Sequence, residues 1–373
     1  MRIGIVTWYK NGNYGGTLQA YALMKTLQSL GHDVEFINYD SSNKFIAFIR
    51  HSVFNVRFFH SGKSRKAIWN FVHNELTETP LLKNLQDASE YSANRFDAVI
   101  CGSDQIWSSL NGVSQFYFLQ FINPSKRIAY APSIGLNKIK SEYLDVFAEY
   151  VASIPYLSVR ELQGAEYIKS ITGKSAEVVL DPTLLIDKIG WNNIMNVEVL
   201  KKYKLSQGQY IFCYFLGDDS KYRAYVDALS AKTGFPVIFA SSSRKEYGKQ
   251  HIVCDPVEFV GFIASAAYVL TDSYHGTIFS VNTGTKVGIF KRFAETDELN
   301  QNSRIYSIVS LLGIDDHIIN YDDNVEKLIS IEPYSSDVMQ KLKMLRHSSM
   351  QFLCSSINCA TKKIDFFICS KEV

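Results

Sequence analysis

The sequence predicts an α/β fold of two Rossmann-like domains facing a cleft. Three observations predict it. Short apolar runs recur along the chain, each closed by a polar or glycine-rich turn that opens a helical pattern. The strand–loop–helix theme of the first forty residues returns after residue 208. A length of 373 residues is generous for one α/β domain and fits two.

Residues 2–7 (RIGIVT) read as a buried first strand, followed by a polar, glycine-rich loop from Asn11 to Gly16. Residues 17–30 carry apolar positions at helical spacing, and Gly31 closes that helix. Residues 33–38 (DVEFIN) give the second strand, which completes a unit of the doubly wound kind. Further strands are read at 96–101, 127–131, 156–159 and 177–180. From 187 to 208 the pattern changes to a polar helix and a loop. The strand QYIFCYFL at 209–216 then opens the second half, with a helix at 220–231. Strands at 237–240, 268–271 and 287–290 follow, with helices at 256–266 and from about 276. The division is therefore a first domain over 1–195, a second over 205–330, and a C-terminal helix and tail over 331–373.

A net charge of +2 argues against a dedicated nucleic-acid binder, which would be clearly basic. The cysteines at 101, 213, 254, 354, 359 and 369 form no CxxC pair and match no zinc spacing, so no essential metal set is expected. Scattered thiols suggest a reducing compartment. The first residues lack the long apolar run of a signal peptide, and no stretch approaches a bilayer span. The expected location is cytoplasmic, with at most peripheral membrane contact. One segment stands apart. Residues 41–74 contain no Asp or Glu, and Lys63, Arg65 and Lys66 are interleaved with aromatic residues such as Phe59, Trp69 and Phe71. Such a stretch can lie on an anionic membrane surface, or pack its aromatic residues on the domain.

Ligands of doubly wound sheets bind at the carboxyl ends of the strands, so the chemistry is sought in the strand-end loops. In YVLTDSYHG (268–276) a strand runs into Asp272, Ser273, His275 and Gly276, and a helix opens at about Thr277. The free N–H groups of a helix N-terminus attract phosphate or carboxylate, and a histidine there can act as a general acid. An Asp/Ser cap beside a satisfied histidine explains the pattern equally well. Arg160, directly after the strand YLSV, offers a planar fork for an oxyanion, or an ion pair to Glu161 or Glu166. GSDQIW (102–107) supplies Ser103, Asp104, Gln105 and Trp107. The polar groups suit sugar hydroxyls and the indole suits a sugar face, whereas a tight turn with Trp107 in the core is the plainer reading. Asn13, Tyr14 and Gly15 belong to a loop that meets neither nucleotide-binding glycine fingerprint. It lets backbone and short side chains approach a ligand, or is a plain turn. Asp181-Pro182-Thr183 reads as a structural strand terminator.

Taken together, IGIVTWYKNGNYGGTLQAYAL, FDAVICGSDQIW, APSIG, LSVRE, VVLDPTLL and DPVEFVGFIASAAYVLTDSYHGTIFS resemble the polysaccharide pyruvyl transferase family in order and spacing. The resemblance implies a glycosyltransferase-B-like fold, with the first domain on the acceptor side and the second on the donor side. It implies no cofactor, phosphoenolpyruvate as donor, and a sugar of a cell-surface polysaccharide precursor, often lipid-linked, as acceptor. It implies catalytic roles for His275 and Arg160, and for that chemistry Asp104, Gln105 and Asn13 are the residues expected to orient acceptor hydroxyls, with Asp104 as the candidate base. Many members carry an arginine two residues before this histidine, where this chain has Ser273. Lys286, Arg292 and Arg304 are the candidates to replace that charge. A nucleotide-sugar glycosyltransferase of the same fold and a non-catalytic glycan-binding module are the alternative readings.

Overall fold

The computed structural model describes residues 1–40, 61–136, 138–240, 250–294, 297, 300–320, 322–332 and 334–361. Strands β1 (Arg2–Val6), β2 (Asp33–Phe36), β3 (Ala98–Cys101), β4 (Arg127–Ala129), β5 (Tyr156–Val159) and β6 (Glu177–Val178) form a first sheet. Its order is β2-β1-β3-β4-β5-β6, parallel throughout. Strands β7 (Ile211–Tyr214), β8 (Val237–Ala240), β9 (Gln250–Ile252), β10 (Tyr268–Thr271) and β11 (Lys286–Ile289) form a second parallel sheet, ordered β11-β10-β7-β8-β9. In each sheet the strand order reverses once, between β1 and β3 and between β7 and β10. These are the crevices where such folds place ligands.

Helices cover both faces of each sheet, so central strands such as AVIC (β3) and IFCY (β7) are buried at every position. Along the first half run α1 (Tyr14–Ser29), α2 (Ser61–Glu75), α3 (Leu85–Ala93), α4 (Leu144–Ala152) and α5 (Leu162–Thr172). The short α6 (Lys188–Asn192) and α7 (Val199–Lys202) lie between the sheets in sequence, where the polar helix and loop were expected. The second half adds α8 (Arg223–Thr233), α9 (Pro256–Ser265), α10 (Tyr274–Thr283), α11 (Ser303–Leu312), α12 (Glu326–Ser330) and α13 (Ser336–Thr361). Strand β9 was not anticipated, because three residues reading QHI carry no apolar run.

Helix α1 starts at Tyr14, three residues before the sequence pattern indicated. Asn13 caps it, its side chain accepting the Gly15 N–H at 2.8 Å, so Gly15 and Gly16 lie in the first turn and not in a loop. The helix is buried almost all round from Tyr14 to Leu27, because one side meets the first sheet and the other meets the second domain. Tyr14 makes the join. Its ring stacks on Phe259 of α9 with centroids 4.5 Å apart, and its hydroxyl donates to the Cys254 carbonyl at 3.0 Å. One apolar cluster consequently runs from Ile3 and Leu23 through Tyr14 to Phe212 and Ile278. Helix α13 ties the halves together again. Its Ser349 hydroxyl accepts the Leu180 N–H, while Arg346 donates to Leu184 O and to Asn282 Oδ1.

Of the acid-free segment, residues 41–60 lie outside the described residues. Its remainder is in α2, where Ile68, Phe71 and Val72 are buried while Lys63, Lys66 and Trp69 face outward. Among the described residues no helix is long and apolar enough to cross a membrane, and Cys101, Cys254 and Cys354 are in no disulfide.

Because Tyr14 fills the junction, Tyr14→Ala is expected to cost about 3–5 kcal/mol in a urea melt. Tyr14→Phe keeps the stack and should cost only about 1 kcal/mol, the worth of one hydrogen bond.

Candidate functional site

The carboxyl ends of the two sheets meet at His275. This residue lies in the first turn of α10, just beyond β10 at the second switch point. Its ring lies on the first turn of α1, so closely that a Cβ on Gly15 would fall 2.1 Å from Nδ1. Glycine is required there for space, a demand set by the other domain. The β3 loop approaches from the same side. Gly102, at φ 121°, passes so near β4 that a Cβ would sit 1.9 Å from the Tyr130 carbonyl oxygen. Two residues on, Asp104 adopts a left-handed backbone (φ 65°), and its carbonyl accepts the Ser133 N–H at 2.8 Å. That conformation is costly for a side chain other than glycine and recurs at functional sites. The Asp104 carboxylate receives no hydrogen bond from the described residues. It faces Gly16, where a Cβ would meet Oδ2 at 3.2 Å.

Asp181 is the centre of the cluster and is wholly buried. Its Oδ2 accepts from Arg160 Nη1 at 2.9 Å and from Ser103 Oγ at 3.1 Å. Its Oδ1 accepts from the Thr183 N–H at 3.0 Å and the Thr183 hydroxyl at 2.8 Å. His275 Nε2 stands 3.6 Å from Oδ2, beyond a hydrogen bond but within electrostatic reach. Burial pushes the Asp181 carboxyl up. His275, Arg160 and the Thr183 N–H more than reverse this and hold it well below the usual carboxylate range.

Arg160 has a side chain only 1% exposed. Its Nε donates to Glu161 at 2.8 Å, its guanidinium carbon lies 4.2 Å from the Tyr274 ring centroid, and its Nη2 is buried without a partner. Burial disfavours its charge, but Glu161, Tyr274, Asp181 and Asp104 outweigh that and hold it above the ordinary arginine range. The ion pair to Glu161 anticipated from sequence is present, and Asp181 adds a second. His275 Nε2 is likewise buried without a partner. Both side chains face Asp181, and a cation with a spare donor together with an imidazole nitrogen can hold an oxyanion and exchange a proton with it.

The structure distributes the other sequence-derived residues as follows. Trp107 is in the core, stacked on Phe118 with its N–H on the Tyr117 carbonyl, so its indole is not offered to a ligand. Tyr14 is an interdomain packing residue. Asp272 holds the β7 loop, accepting the Leu216 and Gly217 N–H groups at 2.7 and 2.9 Å. Ser273 caps α10: its hydroxyl accepts the Gly276 N–H at 3.4 Å and its carbonyl the Thr277 N–H at 3.0 Å. Two of the three N–H groups expected to bind an anion at 275–277 are therefore occupied internally. Gly276 packs on Thr271, and the Thr277 hydroxyl donates to Ser273 O. Asn13 uses its side-chain oxygen as the α1 cap. Gln105 Nε2 crosses to Gln301 Oε1 at 2.9 Å.

Sequence reasoning missed Asp181, because Asp-Pro-Thr at a strand end reads as a turn. It also missed Gln19, wholly buried, whose side chain binds Thr7 and Gly16 and accepts the Ser103 N–H. Of the candidates to replace the absent arginine, Lys286 is bound to the Ile329 carbonyl. Arg292 donates to Asp272 O at 3.0 Å, and Arg304 shares the electrostatic environment of Arg160.

Gly15→Ala should push His275 aside and cost about 1–3 kcal/mol. The double variant with His275→Ala should recover most of that loss, which a mutant cycle of melts would read. Asp181→Asn leaves Arg160 short of a buried counter-charge and should cost about 3–5 kcal/mol at pH 7. Because the folded Asp181 value is depressed, the wild type's advantage is full above the unfolded value near 4 and fades as pH falls through the folded one. Urea melts of both proteins should therefore converge on acidification below about pH 4.

A family model described as polysaccharide pyruvyl transferase matches residues 13–292. No curated protein sequence matches the chain. Among solved structures, a UDP-glucosyltransferase from Polygonum tinctorium is similar at 12% identity and TM-score 0.49, covering 97% of this chain and 99% of that one. UDP-N-acetylglucosamine 2-epimerase from Rickettsia bellii is similar at 9% identity and TM-score 0.49, covering 97% and 98%. The corresponding epimerase from Neisseria meningitidis, bound to UDP-GlcNAc, gives 12%, 0.47, 94% and 100%.

Proposed function

This chain belongs to the polysaccharide pyruvyl transferase family, and we propose that it moves the pyruvyl group of phosphoenolpyruvate onto a sugar of a cell-surface polysaccharide precursor. The observation that carries this reading is two unpartnered nitrogens, Arg160 Nη2 and His275 Nε2, on side chains that both face Asp181 where the two sheets meet. Phosphoenolpyruvate has two anionic groups and an enol carbon that must gain a proton, which is what such a pair handles.

In the proposed reaction a proton is added to carbon 3 of the donor, leaving a cationic centre at carbon 2. One sugar hydroxyl adds there and gives up its proton. A second hydroxyl displaces the phosphate as the carbon–oxygen bond breaks, its proton leaves with the phosphate, and a ketal bridges the two oxygens. Arg160 holds the donor's negative charge. His275 delivers the proton to carbon 3 or to the departing phosphate. Asp104, whose carboxylate is uncommitted, accepts the hydroxyl proton. No cofactor is assigned. A lipid-linked acceptor would suit the outward Lys63, Lys66 and Trp69 of α2, and would bring the enzyme to the inner face of the plasma membrane.

The test is phosphate release from phosphoenolpyruvate in the presence of sugar acceptors. His275→Ala should lower turnover by about 10²-fold or more while the donor still binds. Full activity in that variant would remove His275 from the mechanism. Thermal stabilisation by uridine or guanosine diphosphate and not by phosphoenolpyruvate would redirect the reading to a nucleotide-sugar glycosyltransferase. A ligand at a hundred times its Kd stabilises by about 2.7 kcal/mol, which a melt resolves.

A further inference from the structure

We infer that Arg304 joins Arg160 in seating a phosphate-type oxyanion, and so supplies the positive charge that Ser273 does not. Arg304 lies in the first turn of α11, on the donor side of the cleft, and is 9% exposed. It has no carboxylate partner among the described residues. Its Nε reaches the Gln301 carbonyl at 3.4 Å, and its Nη2 donates to Gln301 Oε1 at 3.0 Å. That same amide oxygen receives Gln105 from the other domain, so a neutral oxygen stands where a charged one would bind better.

A narrow cavity is lined by Arg160, Leu180, Tyr274, Arg304 and Ser307. Two guanidinium groups thus border one space, and Nη2 of one of them, Arg160, is buried without a partner. Glu161 and Asp181 balance Arg160, but no carboxylate contacts Arg304 among the described residues, so an anion shared by the two guanidinium groups would be favoured. The strain is visible in Arg304 itself: burial first, then the charges of Arg160 and Arg292, push it down to about 10, so it remains cationic at neutral pH. Arg292 contributes less directly, because its guanidinium is held against Asp272 at 3.0 Å from the carbonyl oxygen and 3.6 Å from Oδ2. The missing arginine is therefore replaced from a different element, α11, and not from the turn before His275.

The inference rests on the donor reading above, and calorimetric titration of the wild type, R304Q and R304K with phosphoenolpyruvate and with inorganic phosphate separates the two. R304Q should weaken binding of both probes by about 10–100-fold, the loss of one charge-assisted contact. R304K should restore part of it. Without ligand, R304Q should melt no lower than the wild type, because it removes a buried charge that no carboxylate contacts among the described residues. If R304Q fails to fold, the comparison of R304K with wild type carries the same test, a several-fold loss being expected because lysine lacks the planar fork. Undiminished binding of both probes by R304Q would overturn the inference and leave the donor reading standing. Wild-type binding of inorganic phosphate alone, lost in R304Q, would support the oxyanion seat and remove phosphoenolpyruvate as donor. Failure of the wild type to bind either probe would overturn both.

Discussion

The buried carboxylate of Asp181 is the contact on which the rest of the site depends. It gathers the end of β5 through Arg160, the β3 loop through Ser103, and its own turn through Thr183, and it faces His275 from the second domain. A carboxylate with no exposure is tolerated only when its lone pairs are taken and its charge is matched. Asp181 meets both conditions, and in doing so fixes where the guanidinium and the imidazole stand. Arg160 still keeps Nη2 in reserve, because Glu161 and Asp181 together occupy only Nε and Nη1. A structural ion pair and an unsatisfied donor are thus combined in one side chain.

The second constraint is steric and lies between the domains. Helix α1 can approach α10 only because Gly15 stands in its first turn, and the Tyr14–Phe259 stack holds that approach. The opening turn of α10 is committed to its own capping by Ser273, which leaves less of its N-terminus for a ligand than the sequence pattern implied. Serine at this position is therefore not simply a lost charge. It satisfies the helix end through its hydroxyl and its carbonyl.

Much of the fold was legible because parallel strands buried on both faces write continuous apolar runs, as in AVIC, IFCY and YVLT. Where that signal fails, as in the three-residue β9, so did the reading. The strand-end loops were also correctly located, since a doubly wound sheet leaves few other places for chemistry. What individual loop residues do was much less legible. Trp107 could have covered a sugar, but tertiary packing on Phe118 and Phe147 claims it. Asp181 reads as a turn former, and its four hydrogen bonds come from residues up to 78 positions away, a separation that no local pattern records. Likewise, the glycines at 15 and 16 look like a flexible loop until the partner domain is in place.

The central claim is that an anionic donor sits between Arg160 and His275. Its most direct test is a crystal structure of the protein with phosphoenolpyruvate. The account predicts density for the donor with one anionic group on Arg160 and the enol carbon within reach of His275 Nε2. Density for the donor elsewhere on the molecule, with the Arg160–Asp181–His275 cluster unchanged, would contradict it.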